Sequence, residues 1–153
     1  TGPPGAVVVA APDWAEGLGA SLRAGLRSLE PTPAAAALVM LVDLPGVDEA
    51  AMRRVLARAT GPGEPAGAVR HALVRAHWHG TPGHPVLLGR EHWPAVLGAA
   101  HGDRGARDLL AGPGTTGVEC SDLGDGRDVD TPQHAGRAGL HPPGTPPKEE
   151  DRP

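Results

Sequence analysis

The strongest candidate for chemistry in this sequence is Asp43, because it directly follows an apolar run and is itself followed by Leu44 and Pro45. The run, residues 37–42, predicts a strand that ends at the aspartate, since proline does not continue a strand. In open parallel sheets, ligands bind beyond the carboxyl ends of the strands, and a carboxylate there can hold Mg²⁺ together with substrate phosphates. A turn or helix-capping role explains the same residues equally well.

A second pair of acidic residues, Asp128 and Asp130, flanks Val129 near the C-terminal end of the patterned region. In an extended segment, side chains two positions apart point to the same side. Both carboxylates could therefore meet Asp43 at the edge of the sheet and complete a metal site. A polar surface loop explains an isolated pair of this kind better, because Asp122 and other polar residues lie close by in the sequence.

Two further segments contain residues that could bind a phosphate or a second substrate. His84 lies between a glycine and a proline, which restrict its backbone, and could contact the phosphate or ring of an acceptor. Arg104 and Arg107 lie beside two glycines and could clamp a phosphate through bidentate hydrogen bonds. Each signal is weak by itself, because most single histidines in loops are exposed and arginines near helix starts are common.

The remaining reactive side chains are predicted to be structural. His77 and His79 would face the same side of a strand, but no third metal ligand follows at a usual spacing. Cys120 has no paired histidine motif and is typical of a small buried apolar residue. As the only cysteine it excludes an internal disulfide and favours a reducing, cytoplasmic location.

The elements that must position these residues alternate between strands and helices. The predicted strands are 6–10, 37–42, 72–78 and 118–120, with a further apolar run at 85–88, and the predicted helices are 14–26, 47–59, 91–100 and 105–111. In the first helix, leucines recur every four residues, and the short valine-rich run 6–10 is typical of a strand buried on both faces. The order predicts an α/β fold with a mostly parallel sheet.

Composition excludes several other classes of protein. The chain of 153 residues has a formal net charge of −4 and no basic run, so nothing favours nucleic-acid binding. No apolar run approaches the ~20 residues that a membrane-spanning helix needs. From residue 133 onward, proline, glycine and charged residues follow without periodicity. We therefore expect one ordered region, 1–132, and a disordered tail, 133–153.

Five segments, taken together, resemble the MobA-like NTP transferase family, especially its molybdenum cofactor cytidylyltransferase branch. The segments follow one another in the expected order and are 12–26, 42–46, 83–88, 102–107 and 128–132. The resemblance covers about Val7 to Pro132 and implies a Rossmann-like three-layer αβα nucleotidyltransferase fold. It also implies transfer of CMP or GMP from CTP or GTP to the phosphate of molybdopterin, with release of pyrophosphate. Segment 14–26 favours cytidine.

The resemblance also implies roles for individual residues. Asp43 and Asp130 would hold Mg²⁺ at the catalytic centre. Gly17 and Ser21, together with Asp43, would meet the nucleotide. The acceptor, molybdopterin or the molybdenum cofactor, would meet His84 and Arg104. A molybdoenzyme or its chaperone is an implied partner, whereas nucleic acid and membrane are not.

One element of the family is absent from this sequence. The family opens with a strand and a loop of the form Leu-Ala-Ala-Gly-x-x-x-Arg-Met-Gly-x-x-Lys, which wraps the triphosphate, and no segment here matches it. We therefore expect an N-terminally truncated chain with an exposed sheet edge and no catalysis by itself. The alternatives are a non-catalytic remnant or binding module that keeps the fold and, less favoured, another phosphate-handling α/β enzyme such as a phosphohydrolase.

Overall fold

The computed structural model describes residues 5–102 and 105–126, which contain both helices and strands. The helices are α1 (Leu18–Leu29), α2 (Glu49–Thr60), α3 (Trp93–Ala99) and α4 (Arg107–Leu110). The strands are β1 (Ala36–Val39), β2 (Leu73–Trp78), β3 (Thr81–Gly89) and β4 (Thr116–Glu119). Along the chain they follow one another in the order α1, β1, α2, β2, β3, α3, α4 and β4. Short 3₁₀ turns at Trp14–Glu16, Ala68–His71 and Arg90–His92 precede α1, β2 and α3. The predicted α/β class is confirmed.

The strands form one sheet in the order β1-β3-β2-β4. Strand β3 runs antiparallel to both of its neighbours, whereas β2 and β4 run parallel. His79 and Gly80 have positive φ angles (53° and 76°) and form the tight turn between β2 and β3, as in two-residue hairpin loops. The described strands therefore pair in a mixed way rather than the expected mostly parallel way, because the chain returns as a hairpin after β2 instead of crossing over.

The apolar run 6–10, predicted as a buried strand, forms neither a strand nor a helix. Val7 and Val8 are 85% and 73% exposed. A strand needs a neighbour for its backbone hydrogen bonds, and among the described residues β1 pairs along one edge only, with β3. The prediction was wrong because an apolar, β-branched composition does not by itself supply that neighbour.

Strand β1 ends at Val39, earlier than the predicted end of the run 37–42. Its last partner is Val86 on β3, and the preceding residue on β3, Pro85, has no N–H to donate. The chain then enters a turn, in which Asp43 is exposed. The other predicted helices and strands are present with ends that differ by a few residues.

Two apolar cores lie on opposite faces of the sheet, because alternate residues of each strand point to opposite sides. Helix α2 packs against one face, where Val55, Ala76 and Cys120 are fully buried. Helices α1, α3 and α4 pack against the other, and Leu26 and Trp93 belong to its buried cluster. The helices on both faces give the three-layer αβα arrangement that the resemblance implies.

Residues 127–153 lie outside the described part of the chain, which leaves the predicted domain end at 132 and the tail at 133–153 as predictions. Within the described part, no helix is both long enough and apolar enough to cross a lipid bilayer.

Candidate functional site

A cleft of about 700 Å³ lies between α1 and the sheet, and we call it the α1 cleft. Its walls are mostly apolar and come from α1, from β1 and the residues after it, and from β3. The polar side chains that line it are Ser21, Ser28, Arg75, His84 and Arg107. A mostly apolar cleft of this size with a few converging polar groups is typical of a small-molecule site.

Helix α1, which forms one wall of the cleft, is fixed from its buried side. Arg23 is only 8% exposed, and its Nη2 donates to Oε2 of Glu16 at 2.7 Å while its Nη1 donates to the carbonyl of Ala100. A Cβ atom on Gly19 would lie 2.9 Å from the carbonyl oxygen of Gly102. The two backbones therefore approach closely because residue 19 is glycine, and the position of α1 is set by the chain that follows α3.

Two residues predicted from distant segments line the same cleft. Ser21, predicted for the nucleotide, lies on α1, and His84, predicted for the acceptor, lies on β3. Gly17, also predicted for the nucleotide, is the N-cap residue of α1 with a φ of 113°, a conformation that favours glycine. It precedes Leu18, which lines the cleft.

Asp43 lies in its exposed turn close enough to His84 for the two charges to interact. Burial lowers the pKa of His84, and the positive charge of Arg75 lowers it further, while Asp43 acts in the opposite direction. The net effect holds the pKa of His84 below its ordinary value. A neutral imidazole at this position can donate one hydrogen bond and accept another.

Trp78 holds the segment that carries His84. Its indole Nε1 donates a hydrogen bond to the carbonyl oxygen of His84 at 2.9 Å. Its ring packs closely against Gly83 and Gly126. A Cβ atom would lie 2.7 Å from a ring carbon at Gly83 and 2.2 Å from one at Gly126. The side chain thus joins the start of β3 to the last described residues of the chain.

The segment 122–126 lies against the turn that contains Asp43. A Cβ atom on Gly46 would lie 2.9 Å from Oδ1 of Asp125, and one on Gly124 would lie 2.3 Å from the carbonyl oxygen of Gly46. The described chain therefore ends beside this turn, shortly before Asp130 in the sequence. Asp130 itself and Asp128 lie outside the described residues, as does Arg104, so their roles stay predictions.

Asp43 is an exposed carboxylate that a metal ion could reach, and Asp125 lies against the same turn. Within the described residues, no group of three or more histidine, cysteine, aspartate or glutamate side chains could hold a metal. One exposed carboxylate nevertheless fits Mg²⁺, which proteins often bind through one or two carboxylates plus substrate phosphates. The metal pair of Asp43 and Asp130 stays a prediction, because Asp130 lies outside the described residues.

The histidines and the cysteine predicted to be structural occupy such positions. The His77 ring covers Gly117, where a Cβ atom would lie 2.8 Å from the imidazole. His79 lies in the hairpin turn rather than in the strand, so the two histidines do not share a strand face. Cys120 is fully buried, and burial raises the pKa of its thiol.

Arg75 lines the α1 cleft from the middle of β2 and was not predicted as a site residue. The signal for it was a lone cation in an otherwise apolar stretch, Leu73–Ala76. Charged residues in the interior of a central strand are unusual unless they are paired or functional.

Comparisons with known proteins place the chain in a family. It matches the model of the MobA-like NTP transferase domain over residues 1–119. It is 34% identical over 121 residues to a nicotine blue oxidoreductase of Paenarthrobacter nicotinovorans, a match that covers 78% of this chain and 57% of that protein.

Two solved structures share the fold. One is the homologue of Mycobacterium tuberculosis Rv0371c from Mycobacterium sp. strain JC1, with a TM-score of 0.58 and 22% identity over 76% of this chain and 54% of that one. The other is Rv0371c of Mycobacterium tuberculosis H37Rv, with a TM-score of 0.55 and 27% identity over 78% of this chain and 57% of that one. The chain thus spans little more than half the length of these relatives, and it belongs to the MobA-like NTP transferase family.

Proposed function

We propose that this chain forms part of a nucleotidyltransferase that transfers CMP or GMP from CTP or GTP to the phosphate of molybdopterin and releases pyrophosphate. The observation that carries the proposal is the α1 cleft, where Ser21 and His84 line the same space with Asp43 nearby. Transfer between two bound substrates requires that both be held in one site. The family membership supports the type of reaction.

Asp43 is the residue that would hold Mg²⁺, with Asp130 as the second carboxylate. The ion, when bound, supplies positive charge that stabilises the phosphate under transfer. The exposed position of Asp43 leaves its oxygen atoms accessible to an ion shared with a nucleotide. His84, held neutral, adds no positive charge beside that ion and can still hydrogen-bond to a phosphate oxygen.

The same proposal includes the acceptor, the protein partner, the donor nucleotide and the cellular location. The acceptor would be molybdopterin or the molybdenum cofactor, and a molybdoenzyme or its chaperone would receive the product. The segment 14–26 favours CTP over GTP as the donor. The single, buried cysteine favours a cytoplasmic protein.

A second candidate function is an oxidation or reduction, favoured by the identity with the nicotine blue oxidoreductase. One fold hosts different reactions, so family membership alone does not decide between them. Incubation with nicotine blue and an added reductant, followed by absorbance of the dye, tests this candidate directly. Turnover of the dye without any release of pyrophosphate would favour oxidation or reduction over nucleotidyl transfer.

The test of nucleotidyl transfer is pyrophosphate release from CTP and from GTP in the presence of Mg²⁺ and molybdopterin. We would measure it with the 153-residue chain and with any longer protein that its gene encodes. In whichever protein is active, Asp43→Asn should lower the rate by about 100-fold or more, because a metal carboxylate contributes several kcal/mol of charge stabilisation.

The matched control is Asp48→Asn, which changes another exposed aspartate close to Asp43 in the sequence. Asp48 caps helix α2, and asparagine caps helices as well as aspartate does, so this variant should keep full activity. Full activity of Asp43→Asn would show that the metal assignment is wrong. Binding of CTP without pyrophosphate release by either protein would favour the non-catalytic binding module.

A further inference from the structure

Positive charge is concentrated on one side of the α1 cleft. Arg75 contributes a positive charge from β2 and Arg107 from the first residue of α4, and the neutral imidazole of His84 lines the same cleft from β3. No aspartate or glutamate is among the described residues that line the cleft. A cleft with one sign of charge and apolar walls attracts ligands of the opposite sign.

Of the two arginines, Arg75 has a buried nitrogen atom without a partner among the described residues. It lies between Val86 on β3 and Gly117 on β4, and the buried atom is its Nε. Within the described part of the chain, no carboxylate forms an ion pair with its guanidinium. Buried polar atoms are almost always hydrogen-bonded. An arginine nitrogen without a partner in a central strand therefore indicates that a ligand accepts its hydrogen bond.

The charges of the cluster also oppose one another. Burial lowers the pKa of Arg75, and the nearby Arg107 lowers it further. Arg75 in turn helps to lower the pKa of His84. Because like charges in proximity raise one another's free energy, an anion placed among them would relieve this repulsion.

We propose that Arg75 and Arg107, with His84 beside them, bind the phosphate group of a small molecule whose apolar or aromatic body lies against α1 and β1. Two arginines from different elements suit a phosphate group, because its three terminal oxygen atoms can accept hydrogen bonds from both guanidinium groups at once. The remaining walls, such as Leu22 and Val39, can cover an uncharged body. The identity of this molecule as the acceptor rests on the proposed function, whereas its binding does not.

The experiment is a calorimetric titration of the 153-residue chain with phenyl phosphate, without NTP or Mg²⁺. Arg75→Gln and Arg107→Gln should each raise Kd roughly 10- to 100-fold, because each removes charged hydrogen bonds to the phosphate. Arg53→Gln is the matched control, since Arg53 lies on α2, pairs with Glu49 at 2.7 Å and should leave Kd unchanged. Phenol and inorganic phosphate should each bind more weakly than phenyl phosphate.

A stability measurement separates binding from a structural role. Arg75→Leu should abolish binding of phenyl phosphate while raising Tm, because it removes a half-buried charge whose buried Nε has no hydrogen-bond partner in the described part of the chain. A structural arginine would behave in the opposite way, with a lower Tm and no change in Kd. Arg107 is exposed, so Arg107→Gln should remain folded and provides a test that does not depend on Arg75.

Several outcomes would overturn the inference. Failure of the unsubstituted chain to bind phenyl phosphate would do so, and so would equal Kd values for the chain and both arginine variants. If the variants weakened binding of CTP but not of phenyl phosphate, the arginines would belong to the nucleotide. Binding of phenyl phosphate through both arginines, without pyrophosphate release by any of the proteins in the activity assay, would refute the proposed function and leave this inference standing.

Discussion

At the scale of single residues, Glu119 at the end of β4 is surrounded by hydrogen-bond donors. Its carboxylate accepts from the backbone N–H groups of Gly80, Cys120 and Ser121 at 3.2, 3.2 and 3.1 Å, and from the Ser121 hydroxyl. The Ser121 hydroxyl makes the largest contribution, and together these donors lower the pKa of Glu119 to about 2. Because Gly80 belongs to the β2–β3 turn, the carboxylate ties that turn to the end of β4.

The lowered pKa of Glu119 predicts a pH-dependent stability. A carboxyl group whose pKa is lower in the folded chain than its ordinary value of 4.5 stabilises the fold at pH values above 4.5. This stabilisation is lost as the pH falls towards about 2. We expect Glu119→Gln to lower the urea midpoint at about pH 7 and to differ less from the unsubstituted chain at about pH 3. The side chain is exposed, so screening by water keeps the effect modest.

The control is Glu30→Gln, an exposed carboxylate after α1 whose side chain has no hydrogen-bond partner in the described residues. Its midpoint should follow that of the unsubstituted chain at both pH values. If Glu119→Gln lowered the urea midpoint equally at about pH 7 and about pH 3, the hydrogen bonds of Glu119 would not favour its ionised form.

At the scale of elements, α2 depends on its first residues. The side chain of Asp48, the N-cap, accepts hydrogen bonds from the backbone N–H groups of Ala50 and Ala51 at 2.9 and 3.2 Å. We expect Asp48→Ala to lower the free energy of unfolding by about 1 kcal/mol, because it leaves these donors without a side-chain acceptor. Asp48→Asn should keep the cap, and denaturation of both variants in urea measures the difference. Equal stability of the two variants would contradict the capping role.

Elements with strong local signals could be predicted from the sequence. The start of α2 carries acidic residues and its end carries Arg58, and the helix forms where this pattern places it. The run 6–10 and the direction of β3 could not be predicted in the same way. A strand depends on which other segment lies beside it, and the sequence of one segment does not contain that information.

The candidate site shows the same division. Ser21 and His84 were predicted from short segments, and the fold brings them to one cleft. Asp43 was predicted as the end of a strand, and it instead occupies a turn just beyond β1. Arg75 was not predicted, because a single charged residue in a strand becomes a site candidate only when the structure shows a buried atom without a partner among the described residues.

At the scale of the whole molecule, an apolar surface lies beside the unpaired edge of β1. Among the described residues, this edge has no partner strand. Val42, three residues after β1, and Val8, which lies between two valines that line the α1 cleft with β1, are largely or fully exposed. Unpaired strand edges and exposed apolar patches promote association. We expect light scattering of the isolated chain to rise with concentration, and to rise less in a Val8→Lys, Val42→Lys double variant.

The control for this expectation is Leu56→Lys, compared with the single variants Val8→Lys and Val42→Lys, because each of the three adds one positive charge. Leu56 is an exposed apolar residue of α2, on the other face of the sheet. Leu56→Lys should associate as readily as the unsubstituted chain. If Leu56→Lys suppressed association as well as the other two single variants did, net charge rather than the β1 edge would control solubility.

The close packing of Trp78 against two glycines has an optical consequence. The chain contains three tryptophans and neither tyrosine nor phenylalanine, so its near-ultraviolet fluorescence comes from indole alone. Trp14 is 72% exposed and should be open to a water-soluble quencher, whereas Trp78 and Trp93 are buried with their N–H groups bonded to carbonyls. The shielded part of the emission therefore reports, without any added label, whether segment 122–126 is seated against the strand that carries His84.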